Sequence, residues 1–392
     1  MILYFVLLGI LLWNRNPHLE QLELSINGEK IGYQEEILYH QVLFPIFLQT
    51  RYHEIKTYRP LENQITTDHD FRLTVKNIEQ AHLKITKGKE IVYDGTGISD
   101  LTSLMTDSGT YQFEIRYNLQ DKIMTGGNRT YTFTVVLQTP VRVSLSIRDY
   151  QLGDLVTVDF ENVDKNKKIR LEPDFETSVA YHQLEDQKGV ASIPIGLSVP
   201  VGQHTITVTC QDEPLDSFVI QVQDPQFPQQ EKDPLLFGNE EQQKELTDLY
   251  QELRKEKESD KLFEDTFLLP VQGAIGTPFG TYWTHQGTVI GREQGIVIQS
   301  SNGSVVKATA SGKVVVAKGL SIPGNYVVID HGYGILSYYS HLKQIDVQVG
   351  QTLKAGDTIG EVGDTGLLTE SQLGFQISVN HVFVSPWNFI KQ

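Results

Sequence analysis

From about residue 262 to the C-terminus, glycine breaks the chain into short β-branched runs: KVVVAKG, NYVVIDHG, ILSYYSHL, IDVQVG and DTIGEVG. Glycine supplies the positive φ angles that tight turns need, and valine, isoleucine and tyrosine suit a pleated surface. No strong helical period interrupts these runs. A chain written this way buries its apolar residues as a sheet, so the segment is expected to be an all-β domain.

The upstream residues extend the same pattern. TYQFEIRY (110–117) and YTFTVVL (131–137) read as strands within a first module, 19–138. There DSGTYQFEI places Gly109 and Tyr111 as in an immunoglobulin-like tyrosine corner, although the cysteine pair of that fold is missing. VRVSLSI, DLVTVDF, VASIPIGL, HTITVTC and DSFVIQVQD are regularly spaced short strands and predict a second β-sandwich, 139–224. Neither module shows a convergent acid, base or nucleophile, so both read as spacers or binding scaffolds. Residues 225–261 form a linker and a helix. DPQFPQQEKDP carries three prolines. Asn239 and Gln242 then form a capping box, and Leu246, Leu249, Tyr250 and Leu253 make one apolar stripe that should pack on a neighbouring domain.

The net charge of −16 argues against a nucleic-acid partner, whose phosphates would be repelled. The single cysteine, Cys210, has no internal disulfide partner. Residues Ile2 to Trp13 are an unbroken apolar run. As a helix it spans roughly 18 Å, short of the roughly 30 Å hydrocarbon core but long enough for a signal-peptide core. Residues 1–18 are therefore read as a membrane anchor or signal segment, with a buried first element as the alternative.

Five ordered stretches of the C-terminal segment carry a family resemblance: LLPVQGAIGTPFG (268–280), GSVVKATASGKVVVA (303–317), GNYVVIDHGYGILSYYSHL (324–342), VQVGQTLKAGDTIGEVGDTG (347–366) and VSPWNFI (384–390). Together they resemble the lysostaphin-type (LytM) zinc metallopeptidase domain along 262–392. The resemblance implies an antiparallel β-sheet domain, for a mainly β chain of two immunoglobulin-like sandwiches, one linker helix and this C-terminal domain.

Such a peptidase holds one zinc with three side chains and leaves the fourth position to a water that the metal activates. The resemblance places the ligands in a His-x-Gly-x-Asp strand and at the second histidine of His-x-His. The first histidine of that pair and another in Ser/Ala-His-Leu assist the water. Counting back from Gly303 puts Glu293 at the first ligand position and Val297 at the aspartate position. LTESQLGFQ stands where the His-x-His strand belongs, so Gln372 replaces its first histidine and Gly374 its second. Valine and glycine offer a metal no lone pair. His341, in YYSHL, is the retained catalytic-type residue, expected to be inactive, and His331 belongs to the framework. His285 and His381 would reach Glu293 and His341 only if loops moved. Ser340 and His341 are neighbours on a strand and should face opposite ways.

No cofactor is expected. The predicted function is that of a bacterial cell-envelope protein on the extracytoplasmic face, membrane-anchored through its N-terminal segment. Its non-catalytic LytM domain would bind wall peptide or a partner hydrolase, with Tyr338, His341, Gln372 and Gln376 lining the groove. One alternative is an active peptidoglycan endopeptidase with an altered zinc site. Another is a structural protein acting through its sandwiches.

Overall fold

The computed structural model describes residues 24–390 apart from short stretches at 27–28, 44–47, 59–61, 67–72, 76–80, 97–103, 106–107, 119–123, 146, 148, 185–186, 256–259 and 264–266. The N-terminal apolar run lies outside the described residues. The chain divides into two compact units, Met1–Val141 and Arg142–Gln392.

The first unit is built on a seven-stranded sheet. Its central strand, Met124–Gln138, pairs with Gly109–Asn118 on one side and with Tyr33–Leu43 on the other. A second, three-stranded sheet joins Glu29–Lys30, Leu24–Ile26 and Leu73–Val75. Alternation explains the core. Tyr111, Phe113 and Ile115 are buried from one strand, and Tyr131, Phe133 and Val135 from its neighbour. Phe113 and Phe133 are register partners, and their rings stack at 4.7 Å. The buried Arg129 and Glu35 form an ion pair within this unit.

The second unit begins with a sandwich of two four-stranded sheets drawn from Arg142–Ser144 to Glu213–Gln223. Val156, Val158 and Phe160 from one sheet and Ile206, Val208 and Ile220 from the other form its interior. A ten-stranded, predominantly antiparallel sheet follows. Its main path runs Ala274–Thr277, Ile296–Gln299, Gln372–Val379, Ile335–Ile345, Gly324–Asp330, Gly312–Leu320 and Thr352–Leu353. One face packs Ile296, Ile298, Val327, Ile329, Tyr339, Phe375 and Ile377 into the main core. The chain is thus mainly β, with its antiparallel sheet domain at the C-terminus.

The sequence reads the second sandwich and the C-terminal domain as separate modules, whereas the structure gathers both into one compact unit. Specific contacts account for this. Ser385 N–H and Asn388 Nδ2 both donate to the Gly153 carbonyl at 2.8 Å, and Arg292 Nη1 donates to the Leu197 carbonyl at 2.8 Å. The rings of His182 and Tyr333 stack at 4.0 Å. Gly153 is required here. Its φ is +97°, and a Cβ would lie 2.2 Å from the Phe279 ring.

The helix α1 (Glu240–Leu253) starts with both bonds of the capping box, Gln242 N–H to Asn239 Oδ1 and Asn239 N–H to Gln242 Oε1, each 3.0 Å. Its stripe packs on the other face of the C-terminal sheet. Leu249 and Leu253 are buried against Val316, Tyr326, Val328, Leu336 and Tyr338, with Leu246 and Tyr250 beside them. No helix among the described residues is long and apolar enough to cross a membrane.

Candidate functional site

Register relates the positions that the resemblance assigns to zinc ligands. Val297 pairs with Gly374, and Gly374 pairs with Ser340 on the next strand. Register partners share a face, so these three positions form one row across the sheet. One step along lie Gln376, Tyr338 and Val328, again register partners. This row continues the face that α1 covers. Gln372 pairs with Gln299 at the near end of the same strand.

Val297 and Gly374 meet at the centre of this row, and neither side chain carries a metal donor. The space beyond Gly374 is also taken: a Cβ there would lie 2.2 Å from Ser340 Oγ and 3.5 Å from His341 Cδ2. That proximity corrects the expectation that Ser340 and His341 face opposite ways. His341 has φ +67°, which breaks the strand alternation and turns its ring toward the same glycine. The two side chains nonetheless do not form a nucleophile–base pair. Ser340 Oγ donates to the Gly374 carbonyl at 3.3 Å, and His341 Nδ1 donates to the Thr365 carbonyl at 2.9 Å. A carbonyl only accepts, so Nδ1 carries the ring proton and Nε2 keeps its lone pair. Burial lowers the His341 pKa to about 4, so the ring is neutral at physiological pH.

Glu293 sits at the end of the hairpin Tyr282–His285/Thr288–Arg292. Its backbone is held on both sides, by Glu293 N–H to the Thr281 carbonyl and Gly280 N–H to the Glu293 carbonyl, each 2.9 Å. Its carboxylate accepts from Gly295 N–H at 3.1 Å. Burial pushes the Glu293 pKa up, while the Lys232 ammonium and the backbone N–H groups of Gly295 and Gln294 pull it back. Lys232 is pushed down by burial and held up by Glu293.

Lys232 was not legible as a site residue. It lies in a proline-rich stretch that reads as a spacer. In the structure this stretch is a strap. Gln229–Glu231 pairs in parallel with Tyr282–His285, and Gln230 Nε2 donates to the Gly276 carbonyl at 3.1 Å. Farther on, the strap enters α1, whose Glu245 accepts from Ser321 N–H at 2.8 Å. The helix covers the part of the sheet face that holds Tyr338. Tyr338 is buried, its hydroxyl 2.9 Å from Ser378 Oγ and its ring edge-on to Tyr250 at 6.1 Å. Gln372 and Gln376 remain half-buried.

The remaining histidines do not rebuild a metal centre. His285 Nδ1 lies 3.4 Å from Glu231 Oε1 on the strap. His381 lines a cavity between the second sandwich and the sheet, together with Arg254 and His182. Among the described residues no three His, Cys, Asp or Glu side chains converge on a point that suits a metal ion. The donors present therefore do not fit zinc. His331 is fully buried in the framework: Nδ1 donates to the Ser311 carbonyl at 2.8 Å, and Nε2 lies 2.7 Å from Ser337 Oγ.

Comparison with known proteins gives the same domain a family. Residues 291–386 match the profile of Peptidase family M23. The murein hydrolase activator EnvC of Escherichia coli is 35% identical over 130 residues, covering 30% of this chain and 31% of EnvC. The cell division protein DipM of Caulobacter vibrioides is 34% identical over 113 residues, 28% of this chain and 18% of DipM. The chain thus matches about a third or less of the length of these relatives. A crystal structure described as a peptidase M23 from Pseudomonas aeruginosa is 23% identical and covers 61% of this chain and 93% of its own, with a TM-score of 0.45.

Proposed function

Taking as premise that the C-terminal part of this chain is a domain of peptidase family M23, we propose that it is a cell-envelope protein that regulates wall cleavage by binding rather than by cleaving. One observation carries this reading. Val297 and Gly374 are register partners at the heart of the sheet; the resemblance assigns them to two zinc-ligand positions, and neither side chain could coordinate. The framework around them is otherwise kept. A sheet face relieved of catalysis remains suited to an extended peptide. Gln372, Gln376 and His341 Nε2 offer it polar contacts.

The similarity to murein hydrolase activators supports a wall hydrolase as the partner, with wall peptide as the second candidate ligand. The chain would act on the extracytoplasmic side, tethered by residues 1–18, with the N-terminal modules holding the domain away from the membrane. Since the helix covers the Tyr338 part of this face, a ligand reaching that part would have to move it aside.

The experiment uses the full chain. Metal content is measured after purification in zinc-containing buffer, and peptide release from sacculi is followed with and without a murein hydrolase from the same cells. The expected result is no bound zinc, no release by the chain alone, and faster release when the hydrolase is present. Stoichiometric zinc with hydrolysis by the chain alone would overturn the proposal.

A further inference from the structure

The second sandwich, α1 and the C-terminal sheet leave two adjoining clefts between them, of about 910 and 600 Å³. Both are lined by Gly196, Ser198, Arg254 and His381, so they join. Clefts of roughly 300–1,000 Å³ are of ligand size. None of Val297, Gly374 and Ser340 lines either one, so they are separate from the row described above.

Charge sets the smaller cleft apart. The chain carries a net charge of −16. Yet among the described residues lining this cleft there is no aspartate or glutamate, while Arg254, Arg292 and His381 are present. Arg292 is held in place. Its guanidinium lies 4.4 Å from the ring centroid of Tyr282 and 4.8 Å from that of Phe227. Its Nη1 donates at 2.8 Å to the carbonyl of Leu197, itself part of the cleft wall. Among the described residues Nη2, shielded from solvent, has no acceptor. A cationic N–H left so is costly, and an anionic oxygen is its best partner. Arg254, just beyond the end of α1, is exposed, so its charge is open to a ligand from solvent. Carboxylates enter only along the larger cleft, with Glu176 and Asp330.

The larger cleft offers backbone. Every residue from Glu176 to His182 lines it. Ala180–Gln183 is the edge strand of its sheet and pairs only with Gly189–Pro194. On such an edge, alternate N–H and C=O groups point away from the partner strand. Asn380 Nδ2, from the opposite wall, already donates to the Ser178 carbonyl at 3.3 Å, as a peptide N–H would.

We propose that the joined clefts bind a short extended peptide with a free carboxylate. The carboxylate is directed to Arg254 and Arg292, and the backbone adds to the edge at Ala180–Gln183. Charge fixes the direction, because the arginines stand at one end and Glu176 and Asp330 along the other. Tyr250 and Phe383, with ring centroids 5.8 Å apart, give the arginine end an apolar flank. The inference concerns a surface other than the candidate groove and holds whether or not the domain regulates a hydrolase.

The full chain is titrated with acetyl-tetraalanine and, separately, with the same peptide as its C-terminal amide, and broadening of the peptide NMR signals is followed. The acid should bind saturably and the amide about tenfold more weakly, the factor expected for one charge-assisted hydrogen bond. Arg254→Gln should bring the acid close to the level of the amide and leave the amide unchanged. Ser198→Trp, at an exposed position lining both clefts, should fill them and abolish binding of both peptides. Equal binding of acid and amide by the wild type, or no saturable binding of either, would overturn the proposal. So would an acid preference that survives Arg254→Gln, or binding that survives Ser198→Trp. If the tryptophan variant fails to fold, Arg254→Gln decides alone, since Arg254 is exposed and lies beyond the helix it follows.

Discussion

Acid should loosen the C-terminal domain through His331. This ring is fully buried, packed on Phe267 at 5.1 Å. Its Nδ1 proton goes to the Ser311 carbonyl, and Nε2 lies 2.7 Å from Ser337 Oγ, which donates to Tyr339 Oη at 3.0 Å; Tyr339 Oη also accepts Thr309 N–H at 2.9 Å. A second ring proton would place a positive charge where no water reaches it. Burial accordingly lowers the folded pKa from 6.5 to about 4. The unfolded chain therefore takes up the proton first as pH falls. Stability from the neutral ring is complete above pH 6.5 and is lost progressively down to about pH 4. At about 1.4 kcal/mol per pH unit, the loss is about 3 kcal/mol. Urea unfolding followed by the fluorescence of Trp283 and Trp387 reads this unit at a series of pH values. Other groups titrate too, so the comparison is with His331→Gln, which lacks a titrating ring. The variant starts less stable, but its loss between pH 7 and pH 4 should be smaller by about 3 kcal/mol. Parallel pH profiles for the two proteins would show that the buried ring does not set the dependence.

Other substitutions probe the same structure. Glu293→His, Val297→Asp and Gly374→His together should still bind no stoichiometric zinc, because Ser340 Oγ fills the space beyond residue 374 and Lys232 supplies a positive charge; adding Ser340→Ala and Lys232→Ala should recover measurable metal by elemental analysis. Gly153→Ala places a methyl 2.2 Å from Phe279 at φ +97° and should cost about 1–3 kcal/mol in denaturant unfolding of the second unit, with a neutral result refuting the packing account. Leu249→Ala should cost about 2–5 kcal/mol in docking of α1 and speed hydrogen exchange in Gly324–Asp330 beneath it. Arg129→Met leaves Glu35 charged and buried, a loss of about 3–5 kcal/mol from the first unit, most of which Glu35→Leu in the same chain should restore.

Candidate site positions can be named from the sequence because family spacing is counted in residues, and strand register converts spacing into neighbours. Counting from the glycines singles out Glu293, Val297 and Gly374, and sheet pairing joins Val297 to Gly374. The helix was legible for a similar reason, since capping and a 3.6-residue stripe are local properties. Lys232 was not, because nothing local separates a strap from a spacer. Its role depends on Gln229–Glu231 finding an edge more than fifty residues away in sequence. Nor did alternation reveal the His341 side chain, since the +67° φ that turns it arises where the strand bulges.

The sequence by itself determined that this chain is mainly β, that its C-terminal part resembles a peptidase domain, and that valine and glycine stand where the resemblance would put two zinc ligands. These follow from side-chain chemistry and periodicity, which need no tertiary partner. Only the tertiary structure decided what the strap meets and what lies over the C-terminal sheet. Lys232 of the strap and Trp283 of the hairpin, and a helix laid on the sheet, become neighbours through long-range pairing and burial. Long-range contact of that kind has no signature in any single stretch of the chain.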